Sequence, residues 1–319
     1  IYFTGGSYDD SEYLWMKKYL QLEGLVYKLV PIETNLGKEN PYIMGRIDSE
    51  LMYEIVMKWN WGNSERTDIY HDPETRKNSI SFRSNMARLS ELLINEDKFE
   101  KAKTIIDLAI EKMPIDYFGY YSLLVPFVDG YYRIDNVDKA KELSKKIAYK
   151  YADRLNYFSS LNANEQYLLG EEILTEIERY RTLIEADLKH YEQSDLYTTL
   201  NQFVAAITPF RYLYGDYEFY TSLIDVAEGY YLIGEVEIAQ NLSKKIADQF
   251  SERMKLFAQF PPSNQTQIQD RIKKEWSAYN YFLQIINSFD ESSFFNTLED
   301  QYNSNINLFN SESALQEKE

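Results

Sequence analysis

Few residues in this chain have types and spacings that suggest catalysis. The two histidines are His71, in a polar loop beside Asp72 and Glu74, and His190. One histidine among carboxylates fits a metal site or a general base, but without a second histidine it fits better an ordinary loop capped by Asp72 and Pro73. Cysteine is absent, which excludes disulfides and thiolate metal sites. We therefore expect no bound metal and no cofactor.

Several carboxylates lie in or beside one predicted helix: Glu171, Glu172, Glu176 and Glu178. Paired carboxylates hydrolyse glycosidic bonds when they are held across a cleft, but neighbouring arginines balance these, which favours a solvated helix face. Gly5 and Gly6 follow a predicted strand without the further residues of a phosphate-binding loop, and no serine nucleophile motif occurs. The sequence predicts no catalytic residue and no enzymatic activity for this chain.

Composition limits the class of partner. Hydrophobic residues make up 44% of the 319 residues, which is typical of a folded protein, and 29 residues are tyrosine. The net charge of −17 argues against a nucleic-acid partner and against anionic lipid, because both need clustered lysine and arginine. We expect the ligand to be a protein or peptide, or a glycan.

The chain repeats itself at a separation of 99 residues. Residues 130–151 align with residues 229–250 at 12 identical positions out of 22. The same offset relates Arg154 to Arg253 and Glu176 to Glu275. Repeats of tens of residues indicate stacked helical units that bury their apolar faces against each other.

Spacing within these units matches the tetratricopeptide repeat (TPR). Ala102, Ala140 and Ala239 occupy the small-residue position where two helices approach closely. Residues 95–97 are expected to form an interhelix turn, and Pro114 to stop the second helix. The predicted fold class is mainly α, a TPR-like helical-repeat solenoid with a small N-terminal strand–helix–strand piece.

Four regions are predicted along the chain. Residues 1–32 are the terminal piece of an α/β domain, with Asp9, Asp10 and Ser11 capping a helix and Gly24 ending it. Residues 33–79 are a connector with one helix, from Asp48 to Trp59. Residues 80–290 are the helical-repeat domain, and residues 291–319 are a polar tail that is partly disordered. Because the chain begins inside a predicted strand, we expect it to be part of a longer protein.

In the TPR frame, some first-helix positions line a concave groove. An acidic residue recurs at one of them and tyrosine at another, which predicts an acidic, aromatic binding surface. Its candidate binding residues are Glu91, Asp129, Tyr132, Glu228 and Tyr231. The alternative is that these positions are solvated helix faces or are covered by the longer helices.

Particular stretches of the chain resemble one known family. They are residues 1–7, residues 19–32, Trp-Asn-Trp-Gly-Asn at 59–63 and Asn-Met-Ala-Arg-Leu at 85–89. They are similar to the C-terminal soluble region of multi-pass membrane proteins of Bacteroidetes, a family described both as a domain of unknown function and as protein O-mannosyltransferase-like. The resemblance covers about residues 1–290 and is most specific up to Pro31.

The resemblance implies a membrane-embedded parent protein whose other part carries any sugar transfer, and a periplasmic or extracytoplasmic position for this soluble part. The favoured hypothesis is a non-catalytic protein- or glycan-binding helical-repeat domain of a membrane glycosyltransferase-like protein. The alternatives are a structural or oligomerisation module, and a carbohydrate-active enzyme that uses the acidic helix faces.

Overall fold

The structure, a computed structural model, describes residues 1–4, 14–35, 45–290 and 292–316. The chain is mainly helical, with a small N-terminal sheet. It divides into two compact units, Ile1–Ile147 and Ala148–Glu319. Each unit is described by itself below.

A four-stranded sheet lies at the start of the first unit. Its strands are β1 (Tyr2–Thr4), β2 (Leu20–Glu23), β3 (Val26–Leu29) and β4 (Arg46–Ile47), in the order β1-β3-β2-β4. β3 is antiparallel to β1 and to β2, and β2 is parallel to β4. The sheet partners of this N-terminal piece therefore come from within the chain.

The predicted helix before Gly24 is wrong over its last turn. A 3₁₀ helix covers Leu14–Tyr19, and β2 then begins at Leu20. Leu20, Gln21 and Leu22 are all buried, and β2 pairs with a strand on each side, as an inner strand of the sheet does. Gly24 has a φ of +68° and forms the turn between β2 and β3, a conformation that suits a hairpin turn as well as the end of a helix. The predicted caps Asp9, Asp10 and Ser11 lie outside the described residues, as do Gly5 and Gly6.

Helices follow this sheet in the first unit, and the first two of them contact it. They are α1 (Ser49–Met57), α2 (Pro73–Asn95), α3 (Phe99–Lys112), α4 (Ile115–Phe118), α5 (Val125–Arg133) and the start of α6 (Val137–Ser159), with a 3₁₀ helix at Tyr121–Leu124. Asp48 caps α1 by accepting from the Leu51 amide at 3.1 Å, and Met52 of α1 is buried beneath the Gly24 turn. Asn85 of α2 donates to the Gly24 carbonyl at 2.9 Å.

The second unit contains the remaining helices. They are α7 (Ala163–Leu168), α8 (Gly170–Lys189), α9 (Leu196–Ile207), α10 (Arg211–Tyr214), α11 (Asp216–Ser222), α12 (Ile224–Leu232), α13 (Val236–Ala258), α14 (Pro262–Gln267), α15 (Gln269–Phe289) and α16 (Ser293–Gln316), with a 3₁₀ helix at Thr208–Phe210.

Two helix boundaries differ from the sequence prediction. α2 begins at Pro73, inside the predicted connector, because Asp72 caps it by accepting from the Glu74 and Thr75 amides at 2.9 and 3.0 Å. At the other end, α16 occupies most of the predicted polar tail. Its residues Leu298 and Asn305 are buried, and Asn305 donates to Ser251 at 2.8 Å, so that a polar segment packs as a helix.

The 99-residue repeat is confirmed in the helix boundaries. Helices α5 and α6 recur 99 residues later as α12 and α13, with both ends of each helix in register. The short α7 recurs as α14 in the same way, and α8 recurs as α15 with a matching start. The second unit shows the repeat in its core as well. Tyr151 stacks on Tyr180 with ring centroids 5.0 Å apart, and their counterparts Phe250 and Tyr279 stack at 5.2 Å.

The turns between paired helices share one geometry. Asp97, Asp135 and Gly234 all have positive φ and stand five residues before Ala102, Ala140 and Ala239. All three alanines have no exposed surface. The predicted turn at residues 95–97 and the close helix approach at these alanines are therefore confirmed.

We predict that replacing Ala239 with leucine lowers the free energy of unfolding by roughly 1–3 kcal/mol, because the longer side chain overpacks a fully buried contact. Chemical denaturation measures the change, and Lys244→Leu, on the exposed side of the same helix, is the matched control. A loss for Ala239→Leu no greater than for Lys244→Leu would contradict the packing described.

Candidate binding site

The predicted groove residues of the first unit differ in exposure. Glu91 on α2 is exposed. Asp129 on α5 is half-buried, with a carboxylate oxygen 3.8 Å from Arg133. Tyr132 is buried, with 4% of its surface exposed. Tyr132 therefore does not present its ring on an open groove.

In the second unit, Glu228 is half-buried on α12. Burial and the nearby Asp225 raise the pKa of the Glu228 carboxyl. Tyr231 is buried, stacks on Phe289 of α15 at 5.7 Å, and lies 3.4 Å from Asp290 through its hydroxyl. The end of α15 covers this ring, so substitution of Tyr231 would disturb packing rather than probe an open groove.

The other polar positions with possible chemistry have structural surroundings. The His71 ring packs 5.1 Å from that of Tyr117 and 5.5 Å from that of Phe118, next to the Asp72 cap. His190 is the C-cap residue of α8. Glu176 is buried rather than solvated, with Arg154 at 3.8 Å. The predicted solvated face is thus wrong at Glu176.

The counterpart of Glu176 shows the same pairing in a tighter form. Glu275 is fully buried and accepts from Arg253 through both carboxylate oxygens, at 2.6 and 2.5 Å. Arg253 also covers the ring of Phe257 at 5.7 Å. Each glutamate is thus held by arginine, an arrangement that anchors helices rather than supplying two free carboxylates.

A cavity of about 410 Å³ lies in the first unit, among α3, α4, α5 and the start of α6. Its aliphatic lining consists of Ile110, Met113, Pro114, Ile115, Leu124 and Leu143. Its polar lining consists of Asp107, Glu111, Asp116, Tyr131, Lys139, Glu142 and Lys146. An apolar floor with a few converging polar groups is the usual composition of a ligand site.

Asp107 is the centre of the polar side of this cavity. Its carboxylate accepts from the Tyr131 hydroxyl at 2.5 Å, from Lys139 at 2.6 Å and from Lys103 at 2.8 Å. Burial alone would raise the pKa of Asp107, but these hydrogen bonds outweigh it and hold the pKa below its usual value. Burial and the bond to Asp107 raise the pKa of Tyr131. Asp107 therefore stays anionic and Tyr131 stays a neutral donor.

The second repeat makes a related tyrosine contact without charge. Tyr230 is the counterpart of Tyr131, and its hydroxyl donates to the neutral Asn201 of α9 at 3.1 Å. Lys139 and Glu142 correspond to Ile238 and Asn241. Asp107 corresponds to Ala206, so the second repeat pairs its tyrosine at another position of the neighbouring helix and carries none of these three charges. In the sequence, Lys139 and Glu142 stand out only as differences between the two aligned blocks, and identical positions do not reveal them.

Arg83 is a second feature that sequence patterns do not reveal. Its side chain is fully buried in the first unit and donates to the carbonyls of Met113, Gly119 and Tyr120 at 2.6, 2.5 and 3.3 Å. Burial lowers the pKa of Arg83 to about 10. Arg83 thus ties α2 to the end of α3 and to the turn before α5.

The described residues hold neither a metal-binding cluster nor a membrane-spanning helix. Within residues 1–4, 14–35, 45–290 and 292–316, no group of three or more histidine, aspartate or glutamate side chains is placed to hold a metal ion. Across the same ranges, none of the helices has the length and apolar character needed to cross a membrane.

Comparison with known proteins bears on the N-terminal part of the chain. Residues 1–51 match the family model TMEM260-associated domain 2, over the segment that contains β1 to β4 and the start of α1. This links the N-terminal part of the chain to a membrane protein family. No curated protein and no solved structure matches the chain.

Proposed function

We propose that this chain is a non-catalytic, extracytoplasmic binding domain of a membrane glycosyltransferase-like protein, built from TPR-like helical repeats, and that it binds a protein, a peptide or a glycan. The membrane context is supported by the match of residues 1–51. The glycosyltransferase-like and extracytoplasmic parts rest on the resemblance of the sequence stretches described above.

The observation that carries the binding function is the charged cavity of the first repeat. Both repeats share the boundaries of α5 and α6, and in both the tyrosine hydroxyl donates to a side chain of an earlier helix. Asp107, Lys139 and Glu142 are nevertheless charged only in the first of the two. The second repeat folds without these charges. In the first repeat they are therefore candidates for ligand recognition rather than for stabilising the fold.

Peptide and glycan arrays probed with the chain test this function. We expect array binding that weakens roughly 2–5-fold in Glu142→Asn, the size of a partly exposed charge contact. Glu142→Asn gives the first repeat the residue of the second, and the reciprocal Asn241→Glu is the matched control, expected to leave binding unchanged.

Other outcomes would support the alternatives. Arrays without any binding, together with concentration-dependent association in light scattering, would favour an oligomerisation module. Sugar transfer or hydrolysis by the chain, lost in Glu176→Gln or Asp72→Asn, would favour the enzyme. Either result would contradict the proposed function.

A further inference from the structure

The lining of the first-unit cavity indicates which class of ligand it accepts. Its floor is aliphatic, with Ile110 and Ile115 half-exposed and Met113, Leu124 and Leu143 buried beneath them. Tyr131, the aromatic residue of the lining, is only 2% exposed. The floor thus offers aliphatic surface and no accessible ring face on which a sugar or another planar group could stack.

Several polar groups of the lining are already paired, either with one another or with lysines outside the lining. Asp107 accepts three hydrogen bonds, Glu142 pairs with Lys146 at 2.7 Å, and Glu111 pairs with Lys112 at 2.9 Å. A polyhydroxylated ligand on the floor would have to break the bonds of Asp107, which is half-buried, to satisfy its own hydroxyls. The pairs of Glu111 and Glu142 are exposed, so exchanging their lysines for other cations costs little. An aliphatic side chain needs only to displace water from the floor, which is favourable without any rearrangement.

The charge of the cavity rim determines which ligand residues are favoured next to the aliphatic side chain. Three exposed carboxylates, those of Glu111, Asp116 and Glu142, line the cavity together with the two lysines Lys139 and Lys146. The chain as a whole carries −17. The surface around the floor therefore favours a positively charged neighbour, which gives electrostatic complementarity with a basic segment.

We infer that the cavity binds an aliphatic side chain of a peptide segment of a partner protein, with basic residues on either side contacting the rim carboxylates. This inference rests on the proposed binding function and narrows it to a peptide ligand. Aliphatic anchors that fill a pocket with a polar rim are a common form of protein recognition.

Three labelled synthetic peptides test the ligand class. The first has a central leucine between lysines, the second replaces the leucine with serine, and the third replaces the lysines with glutamates. Fluorescence anisotropy is expected to show at least about tenfold tighter binding of the first than of the serine peptide, corresponding to the loss of one buried side chain. The glutamate peptide is also expected to bind more weakly than the first, because its charges repel the rim carboxylates. Equal binding of the leucine and serine peptides would overturn the inference.

Two variants of the chain test the location. Ile110→Trp fills the cavity and Ile115→Asn removes part of its aliphatic floor, and each is expected to weaken the leucine peptide about tenfold or more. The matched control is Ile238→Trp, which places the same substitution on the surface of the second repeat, and circular dichroism melts confirm that each variant folds. Unchanged binding in both folded cavity variants would place the peptide elsewhere and overturn the inference.

Binding of a neutral oligosaccharide distinguishes failure of the peptide inference from failure of the proposed binding function. If Ile110→Trp abolishes oligosaccharide binding while no peptide binds, the cavity is a glycan site; the proposed function stands and the inference fails. If neither peptides nor oligosaccharides bind the wild-type chain, both fail. Binding of the leucine peptide that is lost in both cavity variants supports both.

Discussion

Glu275→Gln is expected to lower the free energy of unfolding by about 3 kcal/mol, at the lower end of what breaking a buried ion pair costs. Glu275 has no exposed surface and accepts two hydrogen bonds from Arg253, and its Oε1 also accepts from Arg271 at 3.2 Å. Removing the negative charge leaves these arginines facing each other beside a desolvated amide. Urea denaturation followed by circular dichroism measures the loss.

The repeat supplies the control for this prediction. In Glu176→Gln the same substitution is made where Arg154 lies 3.8 Å away and is 40% exposed, so the expected loss is smaller. The double variant Arg253→Met with Glu275→Leu removes both charges and is expected to regain most of the stability, because an apolar pair of similar volume is often as stable as a buried ion pair. A double variant as unstable as Glu275→Gln would show that packing, not charge, dominates the site.

The helical repeats were predictable because the sequence preserves what helix pairing needs. Ala102, Ala140 and Ala239 are small where two helices touch, and each follows a turn residue of positive φ at the same distance. These are local requirements, and local spacing in the sequence reports them directly. The confirmed register between the two copies follows from the same requirement.

Where contacts come from distant segments, the sequence was ambiguous. Leu20 to Gly24 fits a helix end or a strand and turn, and the pairing of β2 with β3 and β4 decides for the strand. The ring of Tyr231 is covered by Phe289, more than fifty residues further along the chain. The residue spacing within one helix pair does not predict that a distant residue such as Phe289 buries the Tyr231 ring.

The candidate site was missed for a related reason. Asp107, Tyr131 and Lys139 belong to three different helices, and only the fold brings their polar atoms together. A repeat is recognised by its identical residues, whereas Lys139 and Glu142 are informative because they differ from Ile238 and Asn241. In a duplicated architecture, positions that diverge on a shared frame deserve the same scrutiny as positions that agree.

Arg83→Met is expected to lower the free energy of unfolding by roughly 3–5 kcal/mol, because one buried and two partly buried carbonyls lose their donor and an unsatisfied buried group costs about 1–3 kcal/mol. The guanidinium reaches the carbonyls of Met113, Gly119 and Tyr120 at once, and Gly119 and Tyr120 both have positive φ. Arg83 therefore holds a turn that the local sequence alone does not favour. Thermal and urea unfolding measure the loss.

Arg83→Lys separates the effect of geometry from that of charge. Lysine keeps the positive charge but is a point donor that does not span three carbonyls as the planar guanidinium does, so it is expected to recover less than half of the loss. Arg76→Met, on the same helix and less buried, is the control and is expected to change stability little. Full recovery in Arg83→Lys would mean that charge alone is required there, and a loss in Arg76→Met as large as in Arg83→Met would contradict the special role of Arg83.

Because Met113 and Leu124 line the cavity on either side of the turn that Arg83 fixes, loosening this turn is also expected to weaken binding of the leucine peptide.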